Sequence, residues 1–206
     1  MSEKVLVFPR SSLEELGVFQ GFSKLAVHYI AGIFSRPTTF LDRDAAEEDF
    51  DYKQIIPYTI LTKNGNVFSY VRGKSGGEAR LKKKRSIGIG GHVNDGDGEK
   101  PDYGTVIKGQ SRENLEEVSI LGSYVTDHIG VINDDGNDVG KVHFGIVYRV
   151  ELMSSSIKVV DTAIAEPGFV TIEEALEPTR FAEYEPWSRY VLEAIRDGEI
   201  RLDESD

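Results

Sequence analysis

Residues 90–100 read GGHVNDGDGEK, and residues 111–118 read SRENLEEV. The first segment has three interpretations: a calcium-binding loop, a phosphate-binding glycine loop, or the front half of a longer catalytic motif. Its glycines alone show only that the backbone turns sharply or approaches another group closely. The spacing of the surrounding residues has to decide among the three.

The calcium and phosphate-loop interpretations fail on spacing. An EF-hand loop that starts at Asp95 needs Gly at its sixth position and Glu at its twelfth, where the chain has Lys100 and Val106. No Gly-Lys-Ser/Thr follows the glycines, as a P-loop requires, and the third glycine of a dinucleotide-binding fingerprint is missing. A second acidic segment, NDDGNDVG at 133–140, has Asp138 where an EF-hand needs Gly, so a solvated hairpin turn is expected there.

The third interpretation depends on the downstream segment. Glu113, Glu116 and Glu117 are spaced i, i+3 and i+4, so on a helix they share one face. An isolated cluster of this kind is usually a solvated helix surface, here with Arg112 offsetting Glu116. Combined with a Gly-Gly turn, however, the three carboxylates and a backbone carbonyl form an oxygen donor set for Mg²⁺ or Mn²⁺.

Together the two segments resemble the signature of the Nudix hydrolase family, G-x5-E-x7-R-E-U-x-E-E-x-G-U, in which U is aliphatic. Gly91 matches the first glycine, and Ile120 matches the final aliphatic residue. Arg112-Glu113 matches the central pair, and Glu116-Glu117 matches the metal-binding pair. Asp97 stands at the first glutamate, with a side chain one carbon shorter.

The match has further departures. Fourteen residues, 98–111, separate Asp97 from the central arginine where the family has seven, and we expect them in a loop between the turn and the helix. Asn114 and Ser119 replace the aliphatic residue and the glycine, so the helix end is expected to shift toward Gly122. The segments IPYTIL, SIGIGGHV, VHFGIVYRV, EPGFVTIEEAL and YEPWSRYVL extend the likeness to a divergent branch of phosphoesterases.

The resemblance implies a metal-dependent hydrolase that cleaves a diphosphate linkage in a nucleoside diphosphate derivative or a related small pyrophosphate compound. It implies Mg²⁺ or Mn²⁺ as the cofactor. The metal ligands would be Glu113, Glu116, Glu117 and the carbonyl of Gly90, and the catalytic residues would be Glu113, Arg112 and Glu116. Arg112 would orient the glutamates through an ion pair. The substrate and the general base stay open.

Substrate contacts are expected from Asp97, His92 and Glu166. The alternatives are a structural hydrogen bond for His92 and an ordinary surface turn for Glu166. We expect His143 to be a satisfied histidine of the sheet. Because the motif is altered, a catalytically weak or inactive Nudix-fold module that binds a nucleotide-like ligand is the alternative function.

The length and the composition favour one domain. A chain of 206 residues that is 39% hydrophobic suits a single compact core. We expect an α/β (α+β) protein, a Nudix-like α/β/α sandwich with a mixed sheet. Residues 1–55 would form an N-terminal helical extension, 56–198 the Nudix core, and 199–206 an acidic tail.

Charge and cysteine content limit the classes of binding partner that we expect. A net charge of -11 argues against broad nucleic-acid binding, because affinity for phosphate backbones comes from clustered Lys and Arg. The basic run at 82–85 is expected at a solvated strand edge or hairpin, with contact to a phosphate-bearing ligand as the weaker alternative. Without a bilayer-length apolar run, a signal-peptide pattern or cysteine, we expect a cytoplasmic protein that binds no membrane. The partner that the resemblance implies is a small-molecule diphosphate.

Local patterns predict the secondary structure. Asn64-Gly65 predicts a hairpin between strands at 58–61 and 67–71, and alternation predicts a strand at 142–150. Further strands are expected at 5–8, 86–89, 157–160 and 169–170. Helices are expected after a Ser12/Glu15 capping pair, over 22–33, after a Thr171/Glu174 capping pair, and from Pro186 to Gly198. The apolar face of the helix at 22–33 would pack on its own domain or on a second subunit, so a homodimer is also expected.

Overall fold

A computed structural model of the chain describes residues 3–73, 84–154 and 156–202. Lys82 and Lys83 of the basic run and residues 203–206 of the acidic tail lie outside these ranges. The twelve described strands are β1 (Lys4–Pro9), β2 (Gly21–Ser23), β3 (Thr39–Asp42), β4 (Tyr52–Lys63), β5 (Asn66–Arg72), β6 (Arg85–Ser86), β7 (Gly88–Ile89), β8 (Val118–Leu121), β9 (Tyr124–Asn133), β10 (His143–Leu152), β11 (Ser156–Val159) and β12 (Ile164–Val170).

The eight described helices are α1 (Arg10–Leu16), α2 (Ala26–Phe34), α3 (Arg43–Ala46), α4 (Tyr103–Glu117), α5 (Asp138–Lys141), α6 (Ile172–Leu176), α7 (Pro178–Phe181) and α8 (Pro186–Arg196). Across the described ranges, none of these helices has the length and apolarity that crossing a membrane requires. The elements form two compact units. One comprises Met1–Tyr58, Gly90–Glu113 and His128–Val147, and the other comprises Thr59–Ile89, Asn114–Asp127 and Tyr148–Asp206.

In the first unit the strand order is β4-β10-β9-β2, and β1 pairs antiparallel with both β3 and β4. The predicted strand at 5–8 is therefore confirmed as β1. The predicted capping pair of α1 is wrong, because the helix begins at Arg10 directly after Pro9 and Ser12 is buried inside it. The N-terminal extension thus contributes strands to the same unit that contains residues 90–113.

The predicted helix at 22–33 begins later, at Ala26. Phe22 lies instead in β2, where it pairs with Ile132 of β9. The apolar face of α2 is buried within its own unit, and Tyr29 packs against the rings of Phe19 and Phe144 with centroids 4.8 and 6.4 Å away. This packing answers the question that the sequence left open about what this face contacts.

The segment at 133–140 is not a simple solvated turn. Asn133 and Asp134 are buried, and Asn137 caps α5 by accepting a hydrogen bond from Gly140 N at 2.9 Å. Polar side chains of this segment accept hydrogen bonds from its own backbone. For example, Asp134 Oδ1 accepts from Gly136 N at 2.9 Å. Its polar composition reflects internal hydrogen bonds as well as exposure to water.

In the second unit the strand order is β12-β5-β4, with β6 on β5 and β7 on β4. The predicted hairpin is confirmed: Lys63 pairs with Asn66, and Asn64 and Gly65 have φ of 50° and 75°. Strands β8 and β11 form a separate antiparallel pair. Both predicted helix starts, at Thr171 and at Pro186, are also confirmed. A complete capping box between Thr171 and Glu174 marks the first.

Helix α4 differs from its prediction at both ends. It begins at Tyr103, so most of the long spacer extends the helix and only 98–102 is loop. It ends at Glu117, where the chain passes directly into β8, so Ser119 lies in a strand and Gly122, with φ of 118°, turns the chain toward β9. A spacer in helical form holds Asp97 and Arg112 at a fixed separation.

Candidate active site

Two close approaches explain the Gly90-Gly91 turn. A β-carbon on Gly90 would overlap the carbonyl oxygen of Pro57 in β4, so no side chain fits there. A β-carbon on Gly91 would lie 2.5 Å from Glu113 Oε2 and 2.7 Å from Oε1. The turn therefore presents bare backbone to the carboxylate of Glu113 in α4.

Arg112 connects the turn, the loop and the helix. Its Nε and Nη2 donate to the two carboxylate oxygens of Asp97 at 2.7 and 3.0 Å, a two-point contact that fixes the guanidinium plane. Its Nη1 donates to Glu113 Oε1 at 2.7 Å, and Nη2 also donates to the carbonyl oxygen of His92 at 2.9 Å. These contacts raise the pKa of Arg112 above its usual value, Asp97 contributing most, so the residue stays cationic.

Asp97 is held from several directions. Its side chain is only 3% exposed, and Oδ2 also accepts from Asn94 N at 2.9 Å. Gly109 of α4 leaves the space that the carboxylate occupies, since a β-carbon there would lie 2.9 Å from Asp97 Oδ2. Burial raises the pKa of Asp97, but the bonds from Arg112 and Asn94 outweigh burial and the pKa lies below its usual value.

Helix α4 buries one face and exposes the other. Its buried residues include Val106, Gly109 and Gln110, and helical steps of three and four residues continue this face to Glu113 and Glu117. Glu113 and Glu117 are half-buried, and Glu116 is exposed. Their oxygens are hard donors of the kind that Mg²⁺ and Mn²⁺ prefer, and the Gly91 backbone leaves room for the Glu113 carboxylate.

A second group of polar side chains, Glu47, His92 and His143, lies in the first unit. The sequence did not predict that these three residues meet. His92 Nε2 lies 3.1 Å from His143 Nε2, and these two atoms lie 3.7 and 3.8 Å from Glu47 Oε1. Glu47 follows α3, and His143 begins β10. Glu47, His92 and His143 are too far apart in the chain to give a local sequence signal. A prediction that β1 pairs with β3 and β4 would have placed Glu47 in this unit.

The two histidines have different environments. His143 Nδ1 lies 2.6 Å from the carbonyl oxygen of Val139, so this nitrogen carries the proton and donates it. Burial, followed by the nearby charges of His143, Arg43 and Arg112, holds the pKa of His92 well below its usual value. At neutral pH His92 is therefore an uncharged imidazole.

Buried Lys53 supports the backbone that carries His143. Its Nζ donates to Gly140 O at 2.9 Å, to His143 O at 3.3 Å and to Asp135 Oδ1 at 3.1 Å. Arg10 Nη2 contacts the other oxygen of Asp135 at 2.7 Å. Burial lowers the pKa of Lys53, while Asp135 opposes that shift. The chain ahead of β10 is thus fixed by a charged network.

Glu166 lies in the second unit, in an irregular part of β12. Its side chain is 70% exposed, its φ is 48°, and Arg85 Nη2 contacts Oε2 at 2.8 Å. The register of β12 against β5 shifts between Ala165 and Gly168. Glu166 is thus an exposed strand residue that pairs with Arg85.

No family model matches the chain. Protein YmaB of Bacillus subtilis (strain 168) is 32% identical over 205 residues, which cover 95% of this chain and 98% of YmaB. The crystal structure of Tm1382, described as a Nudix hydrolase, matches with a TM-score of 0.78 at 28% identity over 95% of this chain and 99% of that chain. The Nudix domain of Shewanella oneidensis NrtR, solved with ADP ribose, matches with a TM-score of 0.53 at 10% identity over 72% and 89% of the two chains.

The 10% identity with NrtR shows a shared fold alone, whereas the likenesses to YmaB and Tm1382 extend over nearly the whole chain. The likeness to Tm1382 confirms the predicted fold class. The chain therefore belongs to the Nudix hydrolase family.

Proposed function

We propose that this protein is a divalent-metal-dependent hydrolase that cleaves a diphosphate linkage in a nucleoside diphosphate derivative or a related small pyrophosphate compound. One observation carries the proposal. Glu113 of α4 lies against the side-chain-free Gly91 and is held there by Arg112 at 2.7 Å, as the family motif requires. A solvated acidic helix would need neither a glycine at this position nor an arginine bound at two further points.

The ion is Mg²⁺ or Mn²⁺, and Glu113, Glu116, Glu117 and the carbonyl of Gly90 would hold it. A bound ion of this class neutralises charge on the phosphates and lowers the pKa of an attacking water. The choice of metal follows from the donor set, because it contains oxygen atoms only and such hard donors favour these cations over softer ones.

Arg112 acts as a positioning residue in this proposal. Its contact with Glu113 limits the rotation of that carboxylate, and its fork on Asp97 limits its own rotation. Asp97 then positions Arg112 instead of binding substrate, since its side chain is nearly buried and both oxygens accept hydrogen bonds. Glu116 is exposed on the same helix and accessible to a ligand from solvent.

A second candidate is a Nudix-fold module that binds a nucleotide-like ligand without cleaving it. The observation that favours it is the altered end of the motif, because Ser119 lies in β8 and α4 stops at Glu117. NrtR offers a precedent for ligand binding on this fold, since its Nudix domain was solved with ADP ribose.

Hydrolysis tested across a panel of diphosphate compounds separates the two candidates. The panel comprises nucleotide sugars, dinucleoside polyphosphates, ADP-ribose, coenzymes and nucleoside triphosphates, each with Mg²⁺, with Mn²⁺ and with chelator. We expect metal-dependent product formation that Glu116→Gln abolishes while circular dichroism shows an unchanged fold. Tight ligand binding by calorimetry with no product from any compound would instead support the binding module.

A further inference from the structure

We propose that Glu47, His92 and His143 form a binding site for a transition-metal dication of the Zn²⁺ class. The site would use two imidazole nitrogens and one carboxylate oxygen, and it would leave a position open for water. It shares no side chain with the oxygen donor set of α4, and all three residues belong to the first unit.

The positions of the three atoms match the size of such an ion. The separations are 3.1 Å between the two Nε2 atoms and 3.7 and 3.8 Å from these atoms to Glu47 Oε1. The nearest point equidistant from all three lies in their plane, about 2.1 Å from each atom, as these separations require. Zn²⁺ bonds to imidazole nitrogen and carboxylate oxygen are about 2.0–2.2 Å long, so the side chains need little movement to bind the ion.

The orientation of His143 is the one that a metal ligand needs. Because its Nδ1 donates to the carbonyl oxygen of Val139 at 2.6 Å, a neutral ring has its lone pair on Nε2, the atom that faces His92 and Glu47. Metal-bound histidines usually make such a bond from the other ring nitrogen, which fixes the tautomer and the ring orientation. The Lys53 contacts with Gly140 and His143 hold the backbone beneath this ring.

The donor set selects the kind of ion. Imidazole suits Zn²⁺, Co²⁺, Ni²⁺ and Cu²⁺, whereas Mg²⁺ and Ca²⁺ prefer oxygen ligands. Three protein ligands with one open position are the arrangement in which Zn²⁺ binds a water molecule. Glu47, whose side chain is 28% exposed, and His92, at 15%, leave a route for the ion, while His143 is 7% exposed.

Binding would link three distant segments of the first unit. Glu47 follows α3 in the N-terminal extension, His92 follows the Gly90-Gly91 turn, and His143 opens β10. The carbonyl of His92 also accepts from Arg112 at 2.9 Å, so an ion on the His92 ring would stiffen the same residue that anchors Arg112. Thermal stability should therefore rise when the ion binds, because the ion binds the folded state.

The test is Co²⁺ and Zn²⁺ binding to the full chain in excess Mg²⁺. Visible absorption reports the coordination of Co²⁺, calorimetry gives the Zn²⁺ stoichiometry, and thermal unfolding gives the Tm with and without Zn²⁺. The expected result is one ion per chain and a Tm that rises with Zn²⁺. His92→Gln and Glu47→Gln should each weaken binding by about ten-fold or more.

The chain supplies its own controls. It contains four histidines and no cysteine, so the double variant His28→Gln/His128→Gln removes every other imidazole and should bind like the wild type. Glu117→Gln should also retain Zn²⁺ binding, which would separate this site from the glutamates of α4. Glu47 is the most exposed ligand, so Glu47→Gln gives a readout if the histidine variants fail to fold.

Any of three results would overturn the proposal. The first is the lack of stoichiometric Co²⁺ or Zn²⁺ binding by the folded wild-type protein. The second is unchanged affinity in folded Glu47→Gln, and the third is loss of binding in folded His28→Gln/His128→Gln. None of these results bears on hydrolysis with Mg²⁺, so this proposal and the proposed function fail separately.

Discussion

Replacing Gly91 by alanine tests whether the turn serves the Glu113 carboxylate. The added β-carbon would lie 2.5–2.7 Å from three atoms of that carboxyl group, where ordinary contact begins near 3.4 Å. The carboxylate therefore has to move by about 1 Å, which is also enough to stretch its 2.7 Å bond to Arg112. The backbone itself tolerates alanine, because Gly91 is not among the glycines with positive φ.

The expected effect is large on activity and small on stability. A displacement of about 1 Å in a catalytic group costs about 100-fold in rate, so we expect kcat/KM to fall by that order. The effect on stability is small because the displaced group is only the end of the Glu113 side chain. In addition, replacing glycine by alanine lowers the entropy of the unfolded chain, which stabilises the folded protein by about 0.4–1 kcal/mol. The Tm should thus change by no more than about 4 °C.

The assay is steady-state hydrolysis of the diphosphate compound that the wild type cleaves fastest, with Tm measured in parallel. The matched control is Gly168→Ala, where an added β-carbon would have no atom of the described residues within 4 Å, and it should keep wild-type kcat/KM. Wild-type activity in folded Gly91→Ala would refute the inference that this turn positions Glu113.

Three further substitutions test the surroundings of this carboxylate. Arg112→Lys keeps the charge and loses the fork on Asp97, so steady-state kinetics should show kcat/KM reduced more than about ten-fold in a folded protein; full activity would contradict the positioning role. The pKa of Asp97 is lower in the folded protein than in the unfolded chain, so its carboxylate stabilises the fold. The wild type should therefore have a higher Tm than Asp97→Asn above about pH 4, where the carboxyl is ionised even in the unfolded chain. This difference in Tm should disappear as the pH falls below the folded-state pKa of Asp97. A Tm difference that persists unchanged under acid would contradict this assignment. Asn114 Oδ1 is buried and accepts no hydrogen bond from the part of the chain that the structure describes, so Asn114→Leu should stabilise by about 1 kcal/mol, seen as a Tm increase of about 2–4 °C. A lower Tm would refute this expectation.

The sequence predicted the elements whose signals are local. Asn64-Gly65 formed the expected turn, and Thr171 with Glu174 formed the expected cap, because short-range hydrogen bonds and φ preferences decide both. Helix α2 began later than predicted because Phe22 pairs with β9, more than a hundred residues away. Helical periodicity cannot report a pairing partner at that distance.

The same distinction holds for the candidate site. The adjacent Arg112–Glu113 pair could be identified from the motif. The approach of Gly91 to Glu113 and the contact of Arg112 with Asp97 depend instead on how a spacer twice the family's length folds, with α4 starting at Tyr103. The Glu47–His92–His143 group could not be predicted, because three separate segments have to fold before its members meet. Residues that act through tertiary contacts carry no pattern of their own in one sequence.

The most direct test of the central claim is product formation from diphosphate compounds, followed by mass spectrometry, with the protein stripped of metal and then resupplied with Mg²⁺. The proposed function predicts no turnover after stripping, recovery on addition of Mg²⁺, and no recovery in folded Glu116→Gln. Turnover that persists in chelator, or equal turnover in Glu116→Gln, would contradict it.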